Sequence, residues 1–411
     1  MFELEHLEHP VAAVSLAALR HNIARLDEAL ARSGHPDTRQ LAVVKAGGYG
    51  HGSALVADVA LKSGVAWLGV AQLDEALTLR KELKHLGYRL PGPAADKDPT
   101  VATSERPRLL SWIFSPHAHN ALREALNWDI DLSVSALWAL DAVRDAARTS
   151  GWAARVHLKI DTGMGRAGAT VADFPALLEA ALAAQDTGEI ELVGLWSHLA
   201  RGDEPGQDGL SATAKQLEIF NWAAAQYDFP IRHLGATSGE LFHPETDFDL
   251  VRSGISMYGL TPNPDAGSSA DLDLIPAMTL AAPLTSVKRV PAGTPVSYGG
   301  TWVADTERWL AVVPLGYGDG IPATVSGRAE IWVKGHRYPQ VGRVCMDQVV
   351  IDLGSAADAA PAPAAPGDTA ILFGSGTRGE PTADEWALWA ETINYEIVTR
   401  IGARVPRVQI D

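Results

Sequence analysis

Lys45 closes a short apolar run in LAVVKAGGYGHG. If that run is a buried strand, the amine at its carboxyl end is partly desolvated. Desolvation lowers its pKa and makes it a usable nucleophile toward an aldehyde. The glycines that follow let backbone approach a ligand closely. Taken alone, a strand-end lysine more often snorkels to water. A second set suits an anion. Arg252 and Gly254 fall in LVRSGISMYGL, and Ser238 and Gly239 in ATSGE, each at a late apolar run where backbone N–H groups can bind phosphate. A third set is KIDTGMGRAG, where Lys159 inside a buried strand needs a partner or a modification. Arg166 in the same stretch can fork onto a carboxylate. A structural ion pair accounts for these last residues equally well.

The elements that must position these groups are legible as periodicity. Eight apolar runs (41–46, 67–72, 109–114, 130–135, 155–160, 192–199, 231–236 and 248–260) read as strands buried on both faces. Amphipathic stretches separate them, clearest at 73–87 and 136–151, both closed by glycine. Eight strands alternating with helices predict a parallel α/β fold, a (β/α)8 TIM barrel, with a doubly wound open sheet as the rival. After about residue 275 the rhythm changes. LAAPLTSVKRV, WLAVVPLGYG, AEIWVKG and QVVIDLG are strand-like, and one long helical pattern follows at 385–402. The domains expected are a barrel over 12–270 and a C-terminal, mostly-β domain over 271–411, with residues 1–11 as a candidate addition to the latter. Residues 91–107 read as a surface insertion, and 355–368, rich in Ala and Pro, as an exposed loop or linker.

Bulk properties exclude several functions. At 411 residues the chain is long enough for two domains. Its net charge of −16, with no basic stripe, argues against nucleic acid as a partner. The opening MFELEHLEHP does not read as a secretory leader, no apolar run reaches the length expected of a membrane span, and Cys345 is the sole cysteine. A cytoplasmic location is the expectation.

Nine motifs taken in order go further than any one of them. VVKAGGYGHG, KIDTGMGRAG, SHLARGD, VRSGISMYGL, VSYGGTW, GYGDG, GRVCMDQ, INYEIVTRI and RVPR resemble, in sequence and order, the motifs of alanine racemases, over about residues 8–410. The resemblance implies a barrel joined to a β domain and pyridoxal 5′-phosphate as cofactor, with no metal. It also implies a head-to-tail homodimer in which each site is completed by the other subunit.

Residue roles follow from the same resemblance. Lys45 is similar to the lysine that carries the cofactor as a Schiff base and acts on D-alanine's α-proton. Tyr298 is similar to the opposing base for L-alanine, supplied by the other chain. Arg252 matches the arginine facing the pyridine nitrogen, and His198 the histidine beside the ring. Tyr49, Ser238, Gly254, Ile255 and Tyr395 match phosphate-binding positions. Arg166 and the Met346 backbone match groups that hold the substrate carboxylate, and Tyr317 a tyrosine at the narrow entrance. Lys159 matches a lysine found carbamylated, orienting Arg166. The product implied is D-alanine for peptidoglycan.

The chain departs from the pattern at Gly47 and Gly48, where a polar residue is usual, and at Thr237, where asparagine is common. An apparent extra residue between His233 and Ser238 leaves His233 without an assigned role. Competing readings are a broad-specificity or serine racemase, a decarboxylase of the same fold, and a cofactor-binding protein without turnover. A glutamate rather than Arg252 would be expected in the decarboxylase, and the barrel without the domain carrying Tyr298 in the last.

Overall fold

The structure, a computed structural model, describes residues 6–32, 34–89, 102–356 and 361–411. Most of the expected 91–107 insertion and the middle of the 355–368 loop lie outside the described residues.

The first strand is β1 (Val11–Ser15). The next eight are β2 (Arg39–Val43), β3 (Trp67–Gln72), β4 (Arg108–Ile113), β5 (Asp131–Val134), β6 (Ala154–Lys159), β7 (Ile190–Trp196), β8 (Ile231–His233) and β9 (Leu250–Ser253). Each falls on one of the eight apolar runs. They pair in parallel in the order β8-β7-β6-β5-β4-β3-β2-β9. A parallel bridge between Ala236 and Arg252 joins the two ends, so the sheet closes into a barrel and the open-sheet rival falls. β5 and β6 are buried at every position, but only one alternation of each is apolar; the other carries Asp131 and Ser133 on β5 and Arg155, His157 and Lys159 on β6. The helices lie where the period of 3.6 put them. Leu73–His85 starts with a capping box in which Glu75 closes back on Gln72, and Leu137–Ser150 stops at Gly151, whose φ is 76°.

The remaining strands form a nine-stranded sheet and a two-stranded ribbon, Pro295–Val296 with Trp302–Val303. The larger sheet contains β1, which pairs antiparallel with Met278–Pro283 and parallel with Arg407–Ile410. The chain therefore starts in this sheet and crosses to the barrel through the helix Leu16–Arg32. The helical pattern over 385–402 becomes two short helices, Ala383–Ala390 and Asn394–Thr399, parted at Glu391, whose φ is 58°. No helix among the described residues is long and apolar enough to cross a membrane.

Candidate active site

Past the end of β2 the chain makes a tight turn that presents Lys45. Ala46, Gly47 and Gly48 all hold left-handed φ of 52–65°, which is why glycine rather than a polar residue suits two of these places. Glu75 fixes the turn by accepting the Ala46 N–H at 2.6 Å. Gly50 is required for another reason: a Cβ there would sit 2.1 Å from the Val398 carbonyl oxygen. The Lys45 Nζ lies 5.9 Å from the ring centres of both Tyr49 and Trp112. Burial, chiefly, and then the nearby Arg166 push its pKa below the ordinary lysine value. Glu75 opposes that shift and Arg252 adds to it.

Lys45 opens onto a cavity of about 280 Å³ at the carboxyl ends of the barrel strands. Its lining brings together Lys45, Tyr49, Lys159, Arg166, His198, Ser238, Arg252, Gly254, Ile255 and Tyr395, all singled out in the sequence. Four of these carry cationic side chains, against one acid, Asp203. Such a cavity suits an anionic ligand.

Arg252 is the most heavily fixed group. It is buried at the end of β9. One terminal nitrogen donates to the carbonyls of Ser197 and Leu234, both at 2.8 Å, and lies 3.2 Å from His198 Nδ1. The other donates to the His233 carbonyl at 3.1 Å and lies 3.2 Å from His233 Nδ1. Its guanidinium carbon stands 5.0 Å from the Trp196 ring centre. Burial pushes the arginine down to about 9, so it still carries its proton at neutral pH. Burial and the Arg252 charge hold His198 well below the usual imidazole range, so it is neutral. Gln216, donating to the His198 carbonyl at 3.1 Å, secures that loop.

Lys159, the last residue of β6, is buried with its ammonium 4.1 Å from the Trp196 ring centre. Burial first, then the charges of Arg252 and Arg166, push it down to about 8. The loop beyond is folded over Asp161, which accepts the N–H groups of Gly163, Met164 and Gly165 and so presents Arg166 at the rim.

At the opposite end the Tyr49 hydroxyl meets Gly254 so closely that a Cβ there would stand 2.9 Å from it. Thr237 accepts the Gly254 N–H at 2.9 Å through its hydroxyl. Burial raises both the Tyr49 and Tyr395 phenols above the ordinary tyrosine value, so both are protonated donors. Thr237 and His233 were given no role from the sequence. A hydroxyl at the start of the helix Thr237–Phe242 was the available signal for the former. Nothing local signals the latter, because its partner is 19 residues away on β9.

Three expected site residues lie apart from this cavity. Tyr298, Tyr317 and Met346 are on the β domain and 71%, 49% and 53% exposed. Their loops are tied to one another: Ser297 donates to the Arg343 carbonyl at 2.7 Å, and Tyr317 N–H to the Cys345 carbonyl at 2.9 Å. Gly318 N–H reaches the Met346 carbonyl at 2.8 Å.

The pocket fits a pyridine ring bearing a phosphate and an aldehyde. Every terminal N–H of Arg252 is engaged, but no acceptor among the described residues meets its Nε–H. An unprotonated ring nitrogen, which accepts and cannot donate, suits that vacancy. Hydroxyls of Tyr49 and Ser238 and the backbone at Gly254 and Ile255 suit a phosphate. Lys45, with its lowered pKa, suits an aldehyde carbon.

Comparison with known proteins agrees. Residues 14–262 match the family model described as alanine racemase, N-terminal domain, and residues 277–409 the one described as alanine racemase, C-terminal domain. An alanine racemase of Beutenbergia cavernae is 48% identical over 405 residues, 97% of each chain. One of Frankia casuarinae is 46% identical, covering 96% of this chain and 95% of that one. Among solved structures, alanine racemase from the D-cycloserine-producing Streptomyces lavendulae superposes with a TM-score of 0.87 at 43% identity, covering 99% of this chain and 98% of that one. The enzyme from Streptomyces coelicolor A3(2) gives 0.88 at 43% identity, with 98% of each covered.

Proposed function

The chain belongs to the alanine racemase family, a family of isomerases, and we propose that it interconverts L- and D-alanine using pyridoxal 5′-phosphate, with two bases on opposite sides of the substrate. The observation that carries this reading is the pairing, in one cavity, of a lysine with lowered pKa and an arginine with an unmet Nε–H. The cofactor, when bound, acidifies the α-proton of an amino acid joined to it.

The protein's own groups do the rest. Lys45 would hold the cofactor through its aldehyde and, when its amine is free and neutral, would take or return the proton on the D side. Arg252 stays charged, so it gives the ring nitrogen a hydrogen bond but no proton. Tyr49, Ser238, Gly254, Ile255 and Tyr395 anchor the phosphate. Arg166 and, from a partner chain, the Met346 N–H would hold the substrate carboxylate. Lys159 would repel Arg166 as an ammonium and would pair with it as a carbamate, and its lowered pKa favours the neutral amine that carbamylation needs.

The second base is Tyr298, and it serves the site of a partner chain. Its exposure fits that role, as does a group of apolar side chains at the barrel mouth, Ile113, Leu137 and Trp138, that stay exposed among the described residues. Val303, close to Tyr298, extends the exposed surface of the β domain. The assembly is a homodimer with shared sites, and its product serves the cell wall.

Absorption spectra of the purified protein with and without borohydride, followed by racemisation assays over several amino acids, test the reading. A visible cofactor band fixed by borohydride, and alanine turned over best, are expected. Tyr395 and, from a partner chain, Tyr317 would leave room for little beyond a methyl side chain. Equal kcat/KM for lysine, or a coloured protein that leaves L-alanine unchanged, would contradict it.

A further inference from the structure

Beneath Arg252 a file of buried polar side chains runs down the barrel. His233 Nδ1 lies 3.2 Å from the arginine, and His233 Nε2 lies 3.1 Å from His157 Nδ1. His157 Nε2 in turn lies 3.4 Å from an Asp131 oxygen. Both histidines and Asp131 are fully buried. Asp131 is gripped by Arg108 at 2.6 Å and Arg155 at 2.8 Å, so it remains a carboxylate.

The direction of this file is forced by its ends. A guanidinium offers only N–H groups, so His233 Nδ1 must accept. Its single proton then sits on Nε2 and points at His157 Nδ1, which must also accept. The His157 proton sits on Nε2 and goes to Asp131. Burial pushes both histidines below the ordinary imidazole range, consistent with one proton each. The fold makes room for the file. A bulge separates Val156 from His157 in the pairing of β6 with β7, and His157 faces Gly194. A Cβ on Gly194 would stand 2.5 Å from His157 Nδ1.

We propose that His157, backed by Asp131, is a positioning residue for the reaction: it locks His233 in the Nε2–H form, and His233 thereby holds the Arg252 guanidinium with its Nε–H aimed into the cavity. With the other tautomer, two N–H donors would face each other beneath the arginine, and the guanidinium would shift. The inference rests on the reading that Arg252 faces the cofactor's ring nitrogen.

The test combines imidazole ¹⁵N NMR on the cofactor-free full chain with kinetics and spectra after loading with pyridoxal 5′-phosphate. Both histidines should show the neutral Nε2–H pattern in the unaltered protein. His157→Leu leaves the buried His233 Nε2–H without an acceptor, so His233 should lose its uniform Nε2–H pattern, the cofactor band should shift, and kcat should fall about ten- to a hundred-fold with KM little changed. His157→Asn, whose oxygen can still accept from His233, should restore its tautomer and most of the rate. An Nδ1–H or doubly protonated pattern at either histidine in the unaltered protein would overturn the proposal, and that measurement needs no variant to fold. So would a His157→Leu protein with unchanged kcat. Arg252→Lys reports on the underlying reading separately. An unmoved cofactor band there would displace Arg252 from the ring, while the tautomers, measured without cofactor, would stand.

Discussion

Lys45 owes its reactivity to its surroundings rather than to its type. Burial and a cationic neighbour lower its pKa, and a turn of left-handed residues aims it. Lys45→Ala should therefore lose the borohydride-fixed cofactor band and lower racemisation by about 10³-fold or more. Tyr298→Phe has a subtler signature. The two directions of a racemisation share one equilibrium constant, so kcat/KM must fall equally in both, by about 10²- to 10⁴-fold. In deuterated water, however, D-alanine should still exchange its α-proton through Lys45 while exchange into L-alanine collapses. Equal loss of both exchanges, or of neither, would contradict separate bases. At this scale the sequence was legible wherever a residue belonged to a contiguous motif, as with Lys45, Arg252 and Lys159. It assigned no role to Thr237 or His233, whose partners Gly254 and Arg252 lie just past and on β9. Trp196, which contacts Lys159 and Arg252, reads in sequence as one more core aromatic.

The elements show the same division between local and distant causes. All eight barrel strands were visible, because burial on both faces leaves a continuous apolar run. Their lengths were less so. The run at 248–260 yields only Leu250–Ser253 before the chain turns into the short helix Ile255–Tyr258, which brings Gly254 and Ile255 to the cavity. The strand Val11–Ser15 could not be assigned to its sheet, since its partners lie more than 260 residues away.

Two predictions belong to elements. Gly50→Ala forces a side chain against the Val398 carbonyl in a left-handed conformation. It should cost about 2–4 kcal/mol in chemical denaturation and weaken cofactor binding by displacing the Lys45 turn. The second concerns Glu240 on the helix Thr237–Phe242, buried against the Ser253 hydroxyl at 2.9 Å and pushed up to about 8 by burial. A carboxyl raised from 4.5 binds its proton more tightly when folded, so its stabilising effect is full below about 4.5 and lost as pH climbs through about 8. Glu240→Gln should gain in Tm relative to the unaltered protein as pH rises across that window, by on the order of 2–4 °C. A constant difference between the two proteins would count against a buried, protonated Glu240.

For the whole molecule the account hinges on one geometry: a barrel that supplies the amine and a β domain whose Tyr298 phenol lies outside its own chain's cavity. Tyr298 is 71% exposed and absent from the cavity that holds Lys45. The most direct test is the isolated mixed dimer of one Lys45→Ala chain and one Tyr298→Ala chain, obtained with two affinity tags. If sites are shared, one of its two sites joins an intact lysine to an intact tyrosine from the other chain. The mixed dimer should then run at about half the turnover of the unaltered dimer, far above either variant alone. If each chain served only itself, both sites would be broken, and a purified mixed dimer no more active than the two variants would contradict the account.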